Sequence, residues 1–157
     1  MKNKFRSSTA LAVAIGVGIG ATAFAAKPPD CWMTGGGSIF DTDLTVEYTG
    51  RSTHGFVLHC DTRNPNNLQI NWEGNKFHLT NLAAADCPDT AGITPNPPDA
   101  EFDTFIGWGE GKLNGRPGAS ISFIFTDAGE PGIADTAQIT IRDPSGEQVL
   151  SISGPLT

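Results

Sequence analysis

Ala119-Ser120-Ile121-Ser122-Phe123-Ile124-Phe125 reads as one extended strand. Ile121, Phe123 and Phe125 fall on one face, with Ser120 and Ser122 on the other. That period of two is the mark of a strand buried on one side. Ala137-Gln138-Ile139-Thr140-Ile141-Arg142 repeats it, with Ala137, Ile139 and Ile141 inward and Gln138, Thr140 and Arg142 toward water. Between the two lies Thr126-Asp127-Ala128-Gly129-Glu130-Pro131-Gly132, a loop by composition. Downstream, Asp143-Pro144-Ser145-Gly146 is a turn that hands the chain to Val149-Leu150-Ser151-Ile152.

Upstream the same grammar continues. Residues 53–60 make a strand, and Leu68-Gln69-Ile70-Asn71-Trp72 alternates with Leu68, Ile70 and Trp72 on one side. Glu73-Gly74-Asn75 then turns the chain into Lys76-Phe77-His78-Leu79 as a tight hairpin. Residues 83–86, three alanines and Asp86, form at most one helical turn. Residues 88–100, with four prolines, read as a surface loop. Residues 102–113 read as a strand or a pair of strands broken at Gly107, Gly109 and Gly111, where glycine suggests bulges or a bend. Eight or nine short strands at a spacing of roughly 8–12 residues predict an all-β, mainly antiparallel domain, a β-sandwich or a flattened barrel.

The N-terminus stands apart from this pattern. Lys2, Lys4 and Arg6 precede the apolar run at 10–21, and Ala23-Phe24-Ala25 supplies the small residues of a processing site. Residues 1–25 are therefore assigned to a signal peptide, with cleavage after Ala25 or, alternatively, Ala26, and residues 26–157 to a single domain. The apolar run falls short of the roughly 20 residues of a membrane span. A secreted, periplasmic or cell-surface location follows. Loss of the three leader cations takes the net charge from −7 to −10. So acidic a domain is a poor partner for nucleic acid or for anionic lipid.

Cys31, Cys60 and Cys87 remain in an oxidising compartment, where a disulfide is expected. Cys60 and Cys87 each end an apolar strand and are paired on that ground. Cys31, beside Pro28-Pro29-Asp30 near the new N-terminus where the chain end frays, stays outside the pair. A zinc site fails on spacing, for there is neither a CxxC pair nor a His-x-x-x-His.

Several segments together resemble a known family. They are Thr34-Gly35-Gly36-Gly37-Ser38-Ile39, Thr53-His54-Gly55-Phe56, His59-Cys60-Asp61, Asn66-Asn67-Leu68, Asn71-Trp72 and Lys76-Phe77-His78-Leu79. Asn114-Gly115, the block from Phe125 to Gly132, and Asp135-Thr136-Ala137 follow in order. Over residues 33–156 the chain is similar to the accessory β domain that follows a choice-of-anchor module in secreted and surface-anchored bacterial proteins. The resemblance implies an exported β domain and brings no catalytic residues with it. The family pattern continues past Gly154-Pro155-Leu156-Thr157 into a further glycine-rich, His-bearing strand, and this chain departs from it there.

The sequence offers four candidate sites. Asp127, Glu130 and Asp135 share a Gly/Pro-bent loop and could supply half of a calcium shell, with Asp103 or Asp61 completing it. The competing reading is turn chemistry, Asp127 capping backbone N–H groups and Asp135 starting a strand. His54 and His59, five apart, face opposite sides of a strand, so only His59 and His78 could converge. Glu101 and Asp103, on one strand face, are the nearest thing to a glycosidase pair. No nucleophile elbow or HExxH is present, and the chain is read as no enzyme. Trp72, Trp108, Trp32 and Tyr48 could stack sugar rings. Trp72 alternates with core residues, which leaves Trp108, among bare glycines, as the aromatic expected at the surface. The reading is a secreted, non-catalytic β domain with a structural or binding role, its partner outside the cell or on its surface, without cofactor except calcium. The alternative is a carrier of small ligands or carbohydrate, and a secreted hydrolase stands third.

Overall fold

A computed structural model describes residues 31–40, 50–93, 101–129, 132 and 134–157. The assigned leader, Tyr48 and Glu130 lie outside the described residues. Eight strands follow one another: β1 (Trp32–Phe40), β2 (Arg51–His59), β3 (Asn67–Trp72), β4 (Asn75–Asp86), β5 (Thr104–Leu113), β6 (Arg116–Thr126), β7 (Thr136–Arg142) and β8 (Gln148–Pro155). Each pairs antiparallel with the next, in one sheet whose spatial order is the sequence order. The first and last strands then meet. Ile39 bridges Leu156, Ser38 N–H donates to the Thr157 carbonyl at 2.9 Å, and Thr157 N–H returns the bond at 3.0 Å. The domain is all-β, as its alternation predicts, and of the two architectures left open it is the barrel, nearly closed.

The inward rows are those the alternation marks. Ile121, Phe123 and Phe125 of β6, Ala137, Ile139 and Ile141 of β7, and Leu68, Ile70 and Trp72 of β3 are all buried. The turns carry the chemistry their geometry demands. Glu73-Gly74 and Asn114-Gly115 both take positive φ at both positions, the type I′ hairpin whose twist matches its strands. Asn114 also joins two hairpins: its Oδ1 accepts Lys76 N–H at 2.8 Å, and its Nδ2 donates to Asn75 Oδ1 at 2.9 Å.

One expectation is corrected. Residues 83–86 are not helical but end β4, where Ala84 and Ala85 pair with Trp108 and Gly107. Strand pairing overrides alanine's helix preference. Of the two readings of residues 102–113, Thr104–Leu113 is one strand, with a register shift against β6 at Gly111/Lys112. Its glycines mark close approach. A Cβ on Gly107 would overlap the ring of Phe123, and one on Gly111 would stand 2.5 Å from Phe77 Cζ. Further irregularity sits on β4, where register shifts at Leu79/Asn81 and Leu82/Ala84 accompany the close approach of its backbone to Gly109 and Gly111.

Cys60 and Cys87 are joined, as their positions at strand ends predict, 27 residues apart in sequence. Cys31 is not frayed but buried, because Cys60 N–H donates to its carbonyl at 2.9 Å and extends the β1–β2 ladder.

Two stability predictions follow from this packing. Gly107→Ala should destabilise the fold by about 1–3 kcal/mol through overpacking. Adding Phe123→Leu should recover part of that loss in chemical denaturation, and strictly additive effects would show that the two residues do not share space. Reduction of the Cys60–Cys87 bond should lower stability by about 3–4 kcal/mol on loop entropy, and an unchanged thermal midpoint in reductant would contradict it.

Candidate functional site

The acidic residues singled out from the sequence are engaged in holding the chain. Asp127 Oδ1 accepts Gly129 N–H at 2.8 Å, and Asp135 Oδ1 accepts Ala128 N–H at 2.9 Å. Both belong to a small pocket of about 90 Å³ at the seam, against Gly35 and Gly36 of β1 and the rings of Phe56 and Phe125. Among the described residues no three of His, Cys, Asp or Glu gather closely enough to hold a metal ion. Asp61 is paired with Arg63 at 2.6 Å, and hydrogen bonds from that guanidinium and its backbone N–H hold its carboxyl down at about 2.

Glu101 and Asp103 do not share a strand face. Both precede β5, Glu101 exposed and Asp103 buried. Asp103 accepts the Thr90 N–H at 3.0 Å and the Thr104 hydroxyl at 2.7 Å, fixing the entry to β5. Glu101 Oε2 accepts the Cys31 thiol at 3.0 Å. Each carboxylate is a latch on local backbone or on a neighbouring strand.

The histidines separate. His54 points inward, stacked on Phe125 at 5.3 Å and Phe56 at 5.9 Å between ring centroids. Neither of its ring nitrogens has a hydrogen-bond partner among the described residues. Burial lowers its pKa to about 4. His59 lies level with Asn66, whose side chain accepts its N–H, whereas His78 pairs with Gln69, whose partner on β2 is Gly55. His59 and His78 thus sit two strands and about four residues apart, and do not converge.

The outer wall carries what the inner rows cannot. Asn67, Gln69 and Asn71 are the outward residues of β3, alternating with buried Leu68, Ile70 and Trp72. Their amides, each donor and acceptor, make no hydrogen bond to any described side chain or backbone group. On β2 they face Val57, Gly55 and Thr53 in register. Gly55 presents bare backbone, with open space where a Cβ would stand. A hollow of about 380 Å³ results between Thr53, Val57 and the amide row. It shares Gln69 with a second hollow, of about 370 Å³, bounded by Lys76, His78 and Lys112. Together they form a trough across β2–β5, its amide row running roughly 14 Å along β3 at the rise of a strand. At its β1 side Trp32, 55% exposed, lies diagonally across from Val57, 41% exposed.

Trp108 is at the surface as expected, 47% exposed beside Ile106 at 39%, because the glycines of β5 face inward and leave the alternate residues outside. Trp72 is core, at 4%. The tryptophans make no common platform, since Trp32 is on β1 and Trp108 four strands away on β5. Sequence reading missed the trough. Its signal lay in the polar half of Asn67-Leu68-Gln69-Ile70-Asn71-Trp72, where every outward residue is an amide.

Comparison with protein-family models, with curated proteins and with solved structures finds no match for the chain.

His54 makes stability depend on pH. Its folded pKa of about 4 lies below the unfolded value of 6.5. The unfolded chain therefore takes up the proton first as pH falls. Stability holds above pH 6.5 and drops between 6.5 and 4, by on the order of 2–3 kcal/mol. Denaturant titrations across that range should show the drop in the parent and lose most of it in His54→Leu. An equal slope in both would assign it to other groups.

Proposed function

We propose that this is a non-catalytic binding domain working outside the cell, of the kind that accompanies choice-of-anchor modules, and that it meets a hydroxyl-rich ligand, a glycan, on its outer wall. The observation that carries the reading is the row of three unspent amides over a glycine-floored trough. Amide groups donate and accept in one plane and suit hydroxyls, which do the same. An exposed indole at the end of the trough adds an apolar plate against which a sugar face can lie. The interior is the less suitable place for a ligand. Phe77, Phe105 and Phe125 are fully buried, and rings from β6 and β4 occupy the room left by Gly107 and Gly111. In an eight-stranded barrel such side chains fill the lumen.

Export is part of the proposal. The Cys60–Cys87 disulfide supports it, and no helix among the described residues is long and apolar enough to cross a membrane.

The test is affinity electrophoresis of the full chain, exported and purified, in gels containing soluble polysaccharides. Asn67→Ala/Gln69→Ala/Asn71→Ala should weaken retardation at least tenfold without moving the thermal midpoint, because these side chains are outside the core. Trp108→Ala should leave it unchanged. The reverse result would move the binding face to the Ile106–Trp108 patch, and no retardation by any glycan would end the reading.

A further inference from the structure

We infer that the glycan is anionic, its carboxylate or sulfate groups seated against Lys76, His78 and Lys112; the inference rests on the trough being a glycan site. His78 and Lys112 are opposed in register across β4 and β5, and Lys76 stands two residues from His78 on the same face. Lys76 and Lys112 are thereby diagonal neighbours across β4 and β5, where like charges repel. The arrangement is the more unusual in a chain of net charge −7.

Elsewhere among the described residues three of the four arginines are engaged, and the fourth, Arg116, stands exposed at the start of β6. Arg51 donates to Ser38 Oγ, Arg63 pairs with Asp61, and Arg142 donates to the Gly146 carbonyl. Neither Lys76 nor Lys112 has an ion-pair partner among the described residues. The acids closest in sequence, Glu73 in the β3–β4 turn and Glu110 two residues before Lys112, do not line the hollow. A site thus holds two ammonium groups and an imidazole around about 370 Å³, with Gln69 shared between it and the amide row. A sugar chain lying along the amides would bring a substituent on its ring to this end. A hydroxyl there gains little from two ammonium groups, whereas a carboxylate or sulfate gains charge-assisted hydrogen bonds and relieves their mutual repulsion.

The experiment is titration calorimetry of the full exported chain with three oligosaccharide sets of matched length: uronate, sulfated and neutral. Polyglutamate serves as an anion without hydroxyls. The parent should bind an acidic set at least tenfold more tightly than the neutral one, with affinity falling as salt rises. Lys76→Gln/Lys112→Gln should remove that preference, bringing affinity for the acidic sets down to that for the neutral one, at an unchanged thermal midpoint. Preference for uronate over sulfate, or the reverse, then names the group. If the lysine variant keeps the parent's affinity for acidic chains, or neutral chains bind as well as acidic ones, the charge inference is wrong while the glycan reading stands, as the amide variant shows. If polyglutamate binds as tightly as the acidic glycans, charge alone is being read and the inference fails. If none of the oligosaccharides binds, both readings fall together.

Discussion

The fold depends on fitting aromatic rings inside a barrel that is barely wide enough for them. An eight-stranded barrel has an interior that side chains just fill, and here Phe77, Phe105, Phe123 and Phe125 must all enter it. Space comes from strands that contribute no side chain at the same level. β5 supplies Gly107 beneath Phe123 and Gly111 against Phe77, and β1 supplies Gly35, where a Cβ would come within 2.8 Å of Phe56 Cζ. Glycine within a strand costs backbone entropy and weakens the strand locally. Burial of four phenylalanine side chains, each worth about 1.5–3 kcal/mol, offsets that.

From the same constraint follows where recognition can occur. A lumen filled by rings leaves the opposite side of the pleat as the surface open to variation. Strand residues alternate strictly, so the inward set secures the fold and the outward set is released from packing. On β3 the released set is Asn67, Gln69 and Asn71; on β5 it is Ile106, Trp108, Glu110 and Lys112. Gly55 departs from the interior rule, for it faces outward and has no ring to accommodate. Its bareness lowers the wall between the rows of β1 and β3, and that makes a hollow of what would otherwise be a flat sheet.

Much of the architecture was legible because period two is a local signal. Ile121, Phe123 and Phe125 could be placed on one face without knowing their partners, and so could the strand ends that carry Cys60 and Cys87. The closure between Ser38 and Thr157 was not legible, since it joins residues 119 apart by backbone groups that every residue owns. The single-strand nature of residues 104–113 was hidden for a related reason. A glycine that admits a ring and a glycine that bends a strand look alike until the ring is located. The candidate site was hidden differently. Asn67, Gln69 and Asn71 were visible as the solvent half of an alternation, but their collective meaning needs β2 and β4 beside them. The carboxylates show the same limit: Asp103, Asp127 and Asp135 each accept hydrogen bonds at turns or at the entry to a strand, and a short acidic spacing by itself does not tell a backbone latch from a ligand set.

The distribution of restraints bears on how well the trough can bind. β3 is short, six residues, and would be the weakest strand of the set by itself. It is bracketed at one end by the Cys60–Cys87 bond, which links the chain just after β2 to the chain just after β4, the two strands that flank it. At its other end the type I′ turn at Glu73-Gly74 and the Asn114 bonds to Lys76 and Asn75 hold the β3–β4 hairpin against β5. β1 and β8 meet by contrast at one bridge and two backbone hydrogen bonds. The amide row thus sits on the part of the barrel clamped at both ends, away from the seam. Groups held in place before a ligand arrives lose less freedom on binding, so the proposed glycan site would rest on a strand already fixed at both ends.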